Sequence, residues 1–392
     1  MAKNGYDIAL MPGDGIGPEV TEAAVAVMSD AAARHGLMLN YTTHEAGAAY
    51  YRKTMEAISA ATMEAIGQAD AVLLGAMGLP DIRYPNGTEI APQIDMREHY
   101  GLFASLRPCR LFPGVPTRVR ADRVDMLVIR ELTEGLFAGR HDPMERSDES
   151  ASDRLTISRA TSEKLFEVPF AQAKLRRRLH DTPGHVTLLD KSNVLRSNAF
   201  LSKVFDEVAA RYPDTGTARL YIDAGSMMLV TEPERFDVIV TENVFGDIIS
   251  EIAAGIVGGL GVAPSGDVSL THGVFQPSHG TAPDIAGKGV ANPVATILSA
   301  AMLLDWLADK HGDERCAKTA ASIRTGTTSV LASGPKTRDL GGTAGTAEVT
   351  QAIRSSLISP IGARGGDHVE SSDRRLWRDG LGLRRAHGVS RP

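Results

Sequence analysis

Cysteine is nearly absent: the 392 residues include two, Cys109 and Cys316. They stand far apart and in no metal-ligand spacing, so neither a disulfide framework nor a thiolate metal site is expected, and a reducing cytoplasmic setting suits the chain. Aromatic residues make up 5%, too few for the stacking platform that single-stranded nucleic acid requires. A basic excess is missing too. Lys and Arg number 42 against 48 Asp and Glu, a net charge of −6, so nothing draws the whole surface to phosphate backbones or acidic membranes. The least polar stretch, 253–264, is too short and glycine-rich to span a bilayer, and residues 1–6 lack a secretory signal pattern. Nucleic-acid, membrane and disulfide-rich secreted classes are not expected.

What is present is a globular composition, 43% hydrophobic and 23% charged, with 39 glycines. The length suits two domains or one large doubly wound unit. Residues 6–11 read as a buried strand stopped by a glycine loop at 12–18, and 19–34 as the helix that follows. Further units recur. A helix near 54–69 leads into a strand at 71–75, and a strand spans 124–130. A helix at 160–179 precedes a strand at 186–189, and a strand at 236–241 precedes a helix at 245–254. Such alternation predicts an α/β fold. Residues 138–155 read as a polar loop or small ribbon. The segment 359–392, with seven arginines among glycines and no helical period, reads as a disordered basic tail.

The cluster Gly13-Asp14-Gly15-Ile16-Gly17 invites a dinucleotide-binding reading, but its spacing is GxGxG followed by Pro18. No acidic residue ends a second strand about 20 residues on, where a Rossmann ribose contact would fall. Arg97, Arg107 and Arg130 are a more specific signal, because planar guanidinium forks bind carboxylates in bidentate fashion. Asp247 and Glu251 stand four apart on one helix face, and Asp223 closes a strand at 220–222. Oxygen ligands of this kind suit Mg²⁺ or Mn²⁺. Lys191, in the turn Asp190-Lys191-Ser192-Asn193, is a candidate base if desolvation or a metal lowers its pKa. Residues 277–293, dense in Gly, Pro, Asn and His, form a shaped loop suited to phosphate and ribose.

Together MPGDGIGPEV (11–20), MREHYGLFASLRP (96–108), RELTEGLF (130–137), DKSNVL (190–195), TENVFGDIISE (241–251) and PSHGTAPDIAGKGVANP (277–293) resemble the β-decarboxylating dehydrogenases. That family comprises the isopropylmalate, isocitrate, homoisocitrate and tartrate/D-malate enzymes. The resemblance covers roughly 5–358. It implies an isopropylmalate dehydrogenase-like two-domain α/β fold, with mixed sheets flanked by helices and no Rossmann unit. Residues 1–102 and 257–358 would form a large cofactor-binding domain, and 103–256 a small domain that builds a homodimer with shared active sites.

By the same resemblance, Arg97, Arg107 and Arg130 bind a malate-type acid, with Gln93 and Ile94 lining its substituent pocket. Lys191 is the base, supplied by the partner subunit. Asp247, Glu251 and a partner's Asp223 hold Mg²⁺ or Mn²⁺, which acts as a Lewis acid. Gly75, Asn243, His279, Gly280, Ala282, Pro283, Asp284, Ile285 and Asn292 contact NAD. Asp284 accepts from the ribose hydroxyls and would repel a 2′-phosphate, which favours NAD over NADP.

Three departures stand out. Glu251 replaces the family's usual Asp. No tyrosine lies between Tyr100 and Tyr212, although the resemblance places one near Ile157 to protonate the enolate after CO₂ leaves. Another group or water would then give that proton, or the product keeps its carboxylate. Gln93 and Ile94 replace the leucines of isopropylmalate enzymes, and an unpaired amide against an alkyl group costs about 1–3 kcal/mol. The expected activity is therefore NAD- and metal-dependent oxidation, with decarboxylation, of an acid such as tartrate or D-malate. The alternatives are an isopropylmalate enzyme with a divergent pocket and a catalytically silent regulatory subunit. Deleting 359–392 should leave turnover unchanged in a steady-state assay, and a loss of activity would give the arginine tail a role.

Overall fold

The computed structural model describes residues 3–140, 148–179 and 182–357. The expected tail at 359–392, and most of the expected ribbon's tip, lie outside these. Among the described residues ten strands are present: β1 (Gly5–Gly13), β2 (Met38–Thr43), β3 (Ala71–Ala76), β4 (Ala104–Arg110), β5 (Asp125–Glu131), β6 (His185–Asp190), β7 (Gly216–Tyr221), β8 (Val238–Thr241), β9 (Pro264–Val268) and β10 (Gly273–Pro277). The helices are α1 (Gly17–Arg34), α2 (Ala48–Thr54), α3 (Ala60–Gln68), α4 (Pro92–His99), α5 (Arg159–Leu179), α6 (Arg196–Ala209), α7 (Ile222–Thr231), α8 (Asn243–Ile256), α9 (Val294–His311), α10 (Glu314–Ser333) and α11 (Thr346–Ser355).

The strands join in one sheet in the order β2-β1-β3-β10-β9-β4-β5-β8-β6-β7. The expected mixed sheets are thus continuous. Pairs β10–β9, β9–β4 and β4–β5 are antiparallel, and the remaining pairs are parallel. Strands from 1–102 and 257–358 occupy one half of the sheet, and strands from 103–256 the other; β9 and β4 pair where the halves meet.

Parallel strands covered on both faces read as continuous apolar runs, because neither face meets water; β3 is buried at every position. Alternation then sorts side chains between two layers. Leu127 and Ile129 of β5 join the core that holds α1, α9, α5 and α6 residues. Met126 and Val128 join the core under α8, with Ile249 and Ala253. Among the described residues no helix is long and apolar enough to cross a membrane.

Two local readings change. The expected helix at 54–69 is two helices, because Met55 adopts a left-handed φ of 65° and ends α2, while the Ser59 hydroxyl caps α3. The strand expected at 220–222 ends at Tyr221, so Asp223 lies in the first turn of α7, where a carboxylate is favoured by the helix dipole.

The glycine cluster after β1 is a packing device. A Cβ on Gly13 would lie 2.1 Å from Ala76 O, and one on Gly17 2.1 Å from Pro12 O. The Asp14 carboxylate accepts from the N–H groups of Ala48 (2.7 Å), Ala49 (2.8 Å) and Gly78 (2.9 Å). It therefore satisfies the orphan N–H groups at the start of α2 itself.

Candidate active site

Sheet register assembles the basic cluster. Asp267 of β9 pairs with Ser105 of β4, Ser105 with Arg130 of β5, and Arg130 with Thr241 of β8. Directly paired residues project from the same face, so Asp267, Ser105 and Arg130 stand in one row. Arg107, two residues along β4, shares that face. α8 crosses it closely because Gly246 is bare; a Cβ there would lie 2.7 Å from the Arg130 Cβ. Arg97 arrives from the last turn of α4. Arg97, Arg107 and Arg130 are 6%, 7% and 2% exposed, an unusual depth for three cations.

Hydrogen bonds aim each of them. Arg130 donates from Nε (3.1 Å) and Nη2 (2.8 Å) to Asn243 Oδ1, and from Nη1 to Asp247. Asn243 donates in turn to Glu134 O at 2.9 Å, and the Glu242 carboxylate caps α8 by accepting from Val244 and Phe245. Arg107 donates from Nη1 to Ser250 Oγ at 2.8 Å. It lies 3.7 Å from Asp247 and 3.8 Å from Glu251. Arg97 donates from Nε to Asp267 Oδ2 at 3.0 Å. Burial, reinforced by Arg97 and Arg107 and opposed by Asp247, pulls the Arg130 guanidinium down to about 9. It stays protonated at neutral pH, and an anionic ligand would relieve the repulsion.

Asp247 and Glu251 sit at the open edge of this row, their side chains 45% and 43% exposed. Burial raises the Glu251 carboxyl, with Arg107 opposing the rise and Asp247 adding to it. Their oxygens suit Mg²⁺ or Mn²⁺. Among the described residues no three acidic, His or Cys side chains converge as a metal cage. Asp223 lies elsewhere and accepts from Lys191 Nζ at 2.7 Å, which holds its carboxyl below the usual range. The chain thus brings Arg97, Arg107, Arg130, Asp247 and Glu251 together, and Lys191 with Asp223 separately.

Gln93 and Ile94 lie in the first turn of α4, one turn before Arg97 and on its side of the helix. Gln93 Oε1 is buried with no hydrogen-bond partner among the described residues. The expected position near Ile157 is apolar packing against the core. The aromatic ring beside the arginines is Phe137, its centroid 5.6 Å from Arg130 Cζ, and it carries no hydroxyl.

The loop 277–293 is tied to the first glycine loop. Ile16 N donates to Thr281 O at 2.8 Å, Thr281 Oγ1 donates to Gly78 O at 2.7 Å, and Ala282 holds a left-handed φ of 37°. Ile285 packs with Ala282 on Ile16 and Val20. Asn292 donates to Asp339 at 2.9 Å. A Cβ on Gly75 would lie 2.3 Å from Pro12 O. These residues, with Asn243, hold the protein's own framework. Pro283, Asp284 and Gly280 are exposed, and His279 Nε2 is buried with no partner among the described residues. The His279 Nδ1 lies 2.9 Å from Gly280 O, and this ring and the exposed Asp284 carboxylate in the same loop suit the ribose and amide groups of a dinucleotide. Asp267, Ser105, Ser250, Gln276 and Phe137 escaped sequence reasoning. An acid inside the apolar strand PSGDV was the available signal for Asp267.

Buried arginines beside two carboxylates, with a loop of exposed polar groups, are the features that the resemblance to the β-decarboxylating dehydrogenases requires. The family model described as isocitrate/isopropylmalate dehydrogenase matches residues 7–353, and the chain belongs to that family. The 3-isopropylmalate dehydrogenase of Pseudoalteromonas translucida is 38% identical over 375 residues, covering 92% of this chain and 100% of the relative. That of Thermobifida fusca is 41% identical over 318 residues, covering 78% and 88%. The isocitrate dehydrogenase of Methylococcus capsulatus has a similar structure, with TM-score 0.78 at 33% identity, covering 90% and 99%. The chain is an NAD-dependent, decarboxylating 2-hydroxy acid dehydrogenase that uses Mg²⁺ or Mn²⁺. The silent-subunit alternative therefore falls, and the relatives' names favour isopropylmalate over the tartrate or D-malate expected above.

Burial lowers the His279 imidazole below its ordinary 6.5. The folded protein then binds fewer protons there than the unfolded chain does, so this contribution is present above pH 6.5 and is lost as pH falls below it. The melting temperature should drop from pH 7.5 to pH 5.5 more steeply for the wild type than for His279→Gln. Parallel profiles in differential scanning fluorimetry would contradict this.

Proposed function

We propose that the enzyme oxidises and decarboxylates 3-isopropylmalate with NAD. The observation that carries this reading is the match to 3-isopropylmalate dehydrogenases over nine-tenths of the chain at 38% identity; the buried arginine cluster supports it. Arg97, Arg107 and Arg130 bind the two carboxylates, and Gln93 and Ile94 face the C3 substituent. Asp247 and Glu251 hold the metal, which when bound supplies Lewis acidity at the substrate's oxygens. Lys191 takes the hydroxyl proton as the neutral amine, having first given a proton to water, and Asp223, which accepts from its Nζ at 2.7 Å, orients the side chain. His279, Gly280 and Asp284 meet the nucleotide, while Ala282, Pro283 and Ile285 shape the loop that presents them. With Phe137 lacking a hydroxyl, water gives the proton that replaces CO₂. A small or hydroxylated C3 substituent is the second reading, favoured by the unpartnered Gln93 oxygen.

NADH formation with Mn²⁺ decides between them. The kcat/KM for 3-isopropylmalate should exceed that for D-malate or the tartrates at least tenfold, and chelator should abolish turnover. A preference for either small acid, or failure of the gene to rescue a leucine auxotroph, would sink the first reading.

The domains follow the two halves of the sheet, 1–102 with 257–358 and 103–256, and the second half forms a homodimer. Met227 and Val230 of α7, Ile248 of α8 and nearby Tyr221 and Val194 are 46–69% exposed, an apolar display that a second copy would cover. The same pairing would bring the partner's Lys191 and the partner's Asp223 to Asp247 and Glu251. Co-expressed Lys191→Ala and Asp247→Asn chains should then recover activity that neither shows alone, since mixed dimers contain one intact site. Absence of recovery in verified mixed dimers would refute shared sites.

A further inference from the structure

The acidic partner of the arginine cluster is not confined to the metal-suited edge. Asp267 lies at the centre of the sheet, 1% exposed, and is not needed for metal, nucleotide or proton transfer. Three donors satisfy it: Arg97 Nε at 3.0 Å and Gln276 Nε2 at 3.0 Å on Oδ2, and Ser105 Oγ at 2.6 Å on Oδ1. Burial pushes its carboxyl up, but Arg97, Ser105 and Arg107 together outweigh that and hold it below the usual range. Asp267 is therefore an ionised charge inside the protein. Among the described residues Arg97 uses only Nε, so both its terminal nitrogens remain for a ligand. Arg107 and Arg130 instead face Asp247 and Glu251, whose charges serve a divalent cation when one binds. Gln276, as a neutral amide, adds a donor to Asp267 without a second negative charge.

We infer that Asp267 is a specificity-determining residue: the internal counter-ion of Arg97, it cancels one of three guanidinium charges and matches the pocket to two substrate carboxylates instead of three. This rests on the reading of the arginines as the carboxylate clamp. Fixing Nε also points the guanidinium fork outward, so Asp267 sets both the charge and the orientation that the ligand meets. A tricarboxylate would find two uncompensated cations for three anionic groups, and its third carboxylate would be desolvated without a partner.

Asp267→Asn isolates the charge. The Asn Oδ1 can accept from Arg97 and Gln276, while its Nδ2 donates to a Ser105 hydroxyl turned to accept. Succinate and tricarballylate are suitable probes, because neither is oxidised and they differ by one carboxymethyl group, whose fixed contacts cancel when the affinity ratio of a variant is compared with that of the wild type. Titration calorimetry on the full chain with Mg²⁺ and NAD should give tighter succinate binding in the wild type. In Asp267→Asn the ratio of affinities should move at least tenfold toward tricarballylate. Asp267→Ser, a smaller neutral side chain at the same place, should move it in the same direction, and it decides the matter if Asp267→Asn does not fold. An unchanged ratio in the folded variants would overturn the inference while leaving the clamp intact. Binding of neither acid by the wild type would overturn the clamp and this inference with it.

Discussion

Three guanidiniums packed between a sheet and a helix repel one another and have lost most of their water. The site depends on the carboxylates that compensate them: Asp267 from beneath, Asp247 and Glu251 from the open edge. Removing one partner of a buried pair typically costs about 3–5 kcal/mol, because the other charge is left uncompensated. The arrangement is therefore stable only as a set. Its residual positive field is also what an anionic substrate meets, so the same electrostatics that burden folding supply affinity.

That set is held by backbone geometry more than by side-chain packing. Register across β9, β4 and β5 puts Asp267, Ser105 and Arg130 in one row. The three antiparallel pairings in the middle of an otherwise parallel sheet bring strands from both ends of the chain beside strands from its middle. Gly246 then lets α8 approach the stem of Arg130, which carries Asp247 and Ser250 to the guanidiniums. Glycines in the loop after β1 perform the matching task for the loop 277–293, since a Cβ on Gly15 would lie 2.0 Å from Thr281 O.

Much of the site was legible because it rests on residue types with few other uses at those spacings. Arg97, Arg107 and Arg130 read as a clamp, and Asp247 with Glu251 read as one helix face; the structure places all five together. Most strands were legible too, since β3 and β8 are uninterrupted apolar runs. Other readings failed where a local signal was overruled. Met55 ends α2 through a left-handed turn that its side chain does not announce. Asp223 looked like a strand end because 220–222 is apolar, yet the chain turns into α7 one residue earlier. The intramolecular contacts of Gly75, Asn243, Ile285 and Asn292 were not legible in the sequence either, because each joins segments remote along the chain.

Composition, motif order and periodicity determined the class of fold, the family resemblance and the list of charged groups, because these depend on residue type and spacing along the chain. Only the tertiary structure decided which charges compensate which. Asp267 and Arg97 are remote in sequence, and their pairing follows from a register set by hydrogen bonds between strands, not by any local pattern. It likewise decided that Lys191 and Asp223 stand apart from the arginines within one chain. Distances across a fold are fixed by packing, and a sequence records them only after the chain has closed on itself.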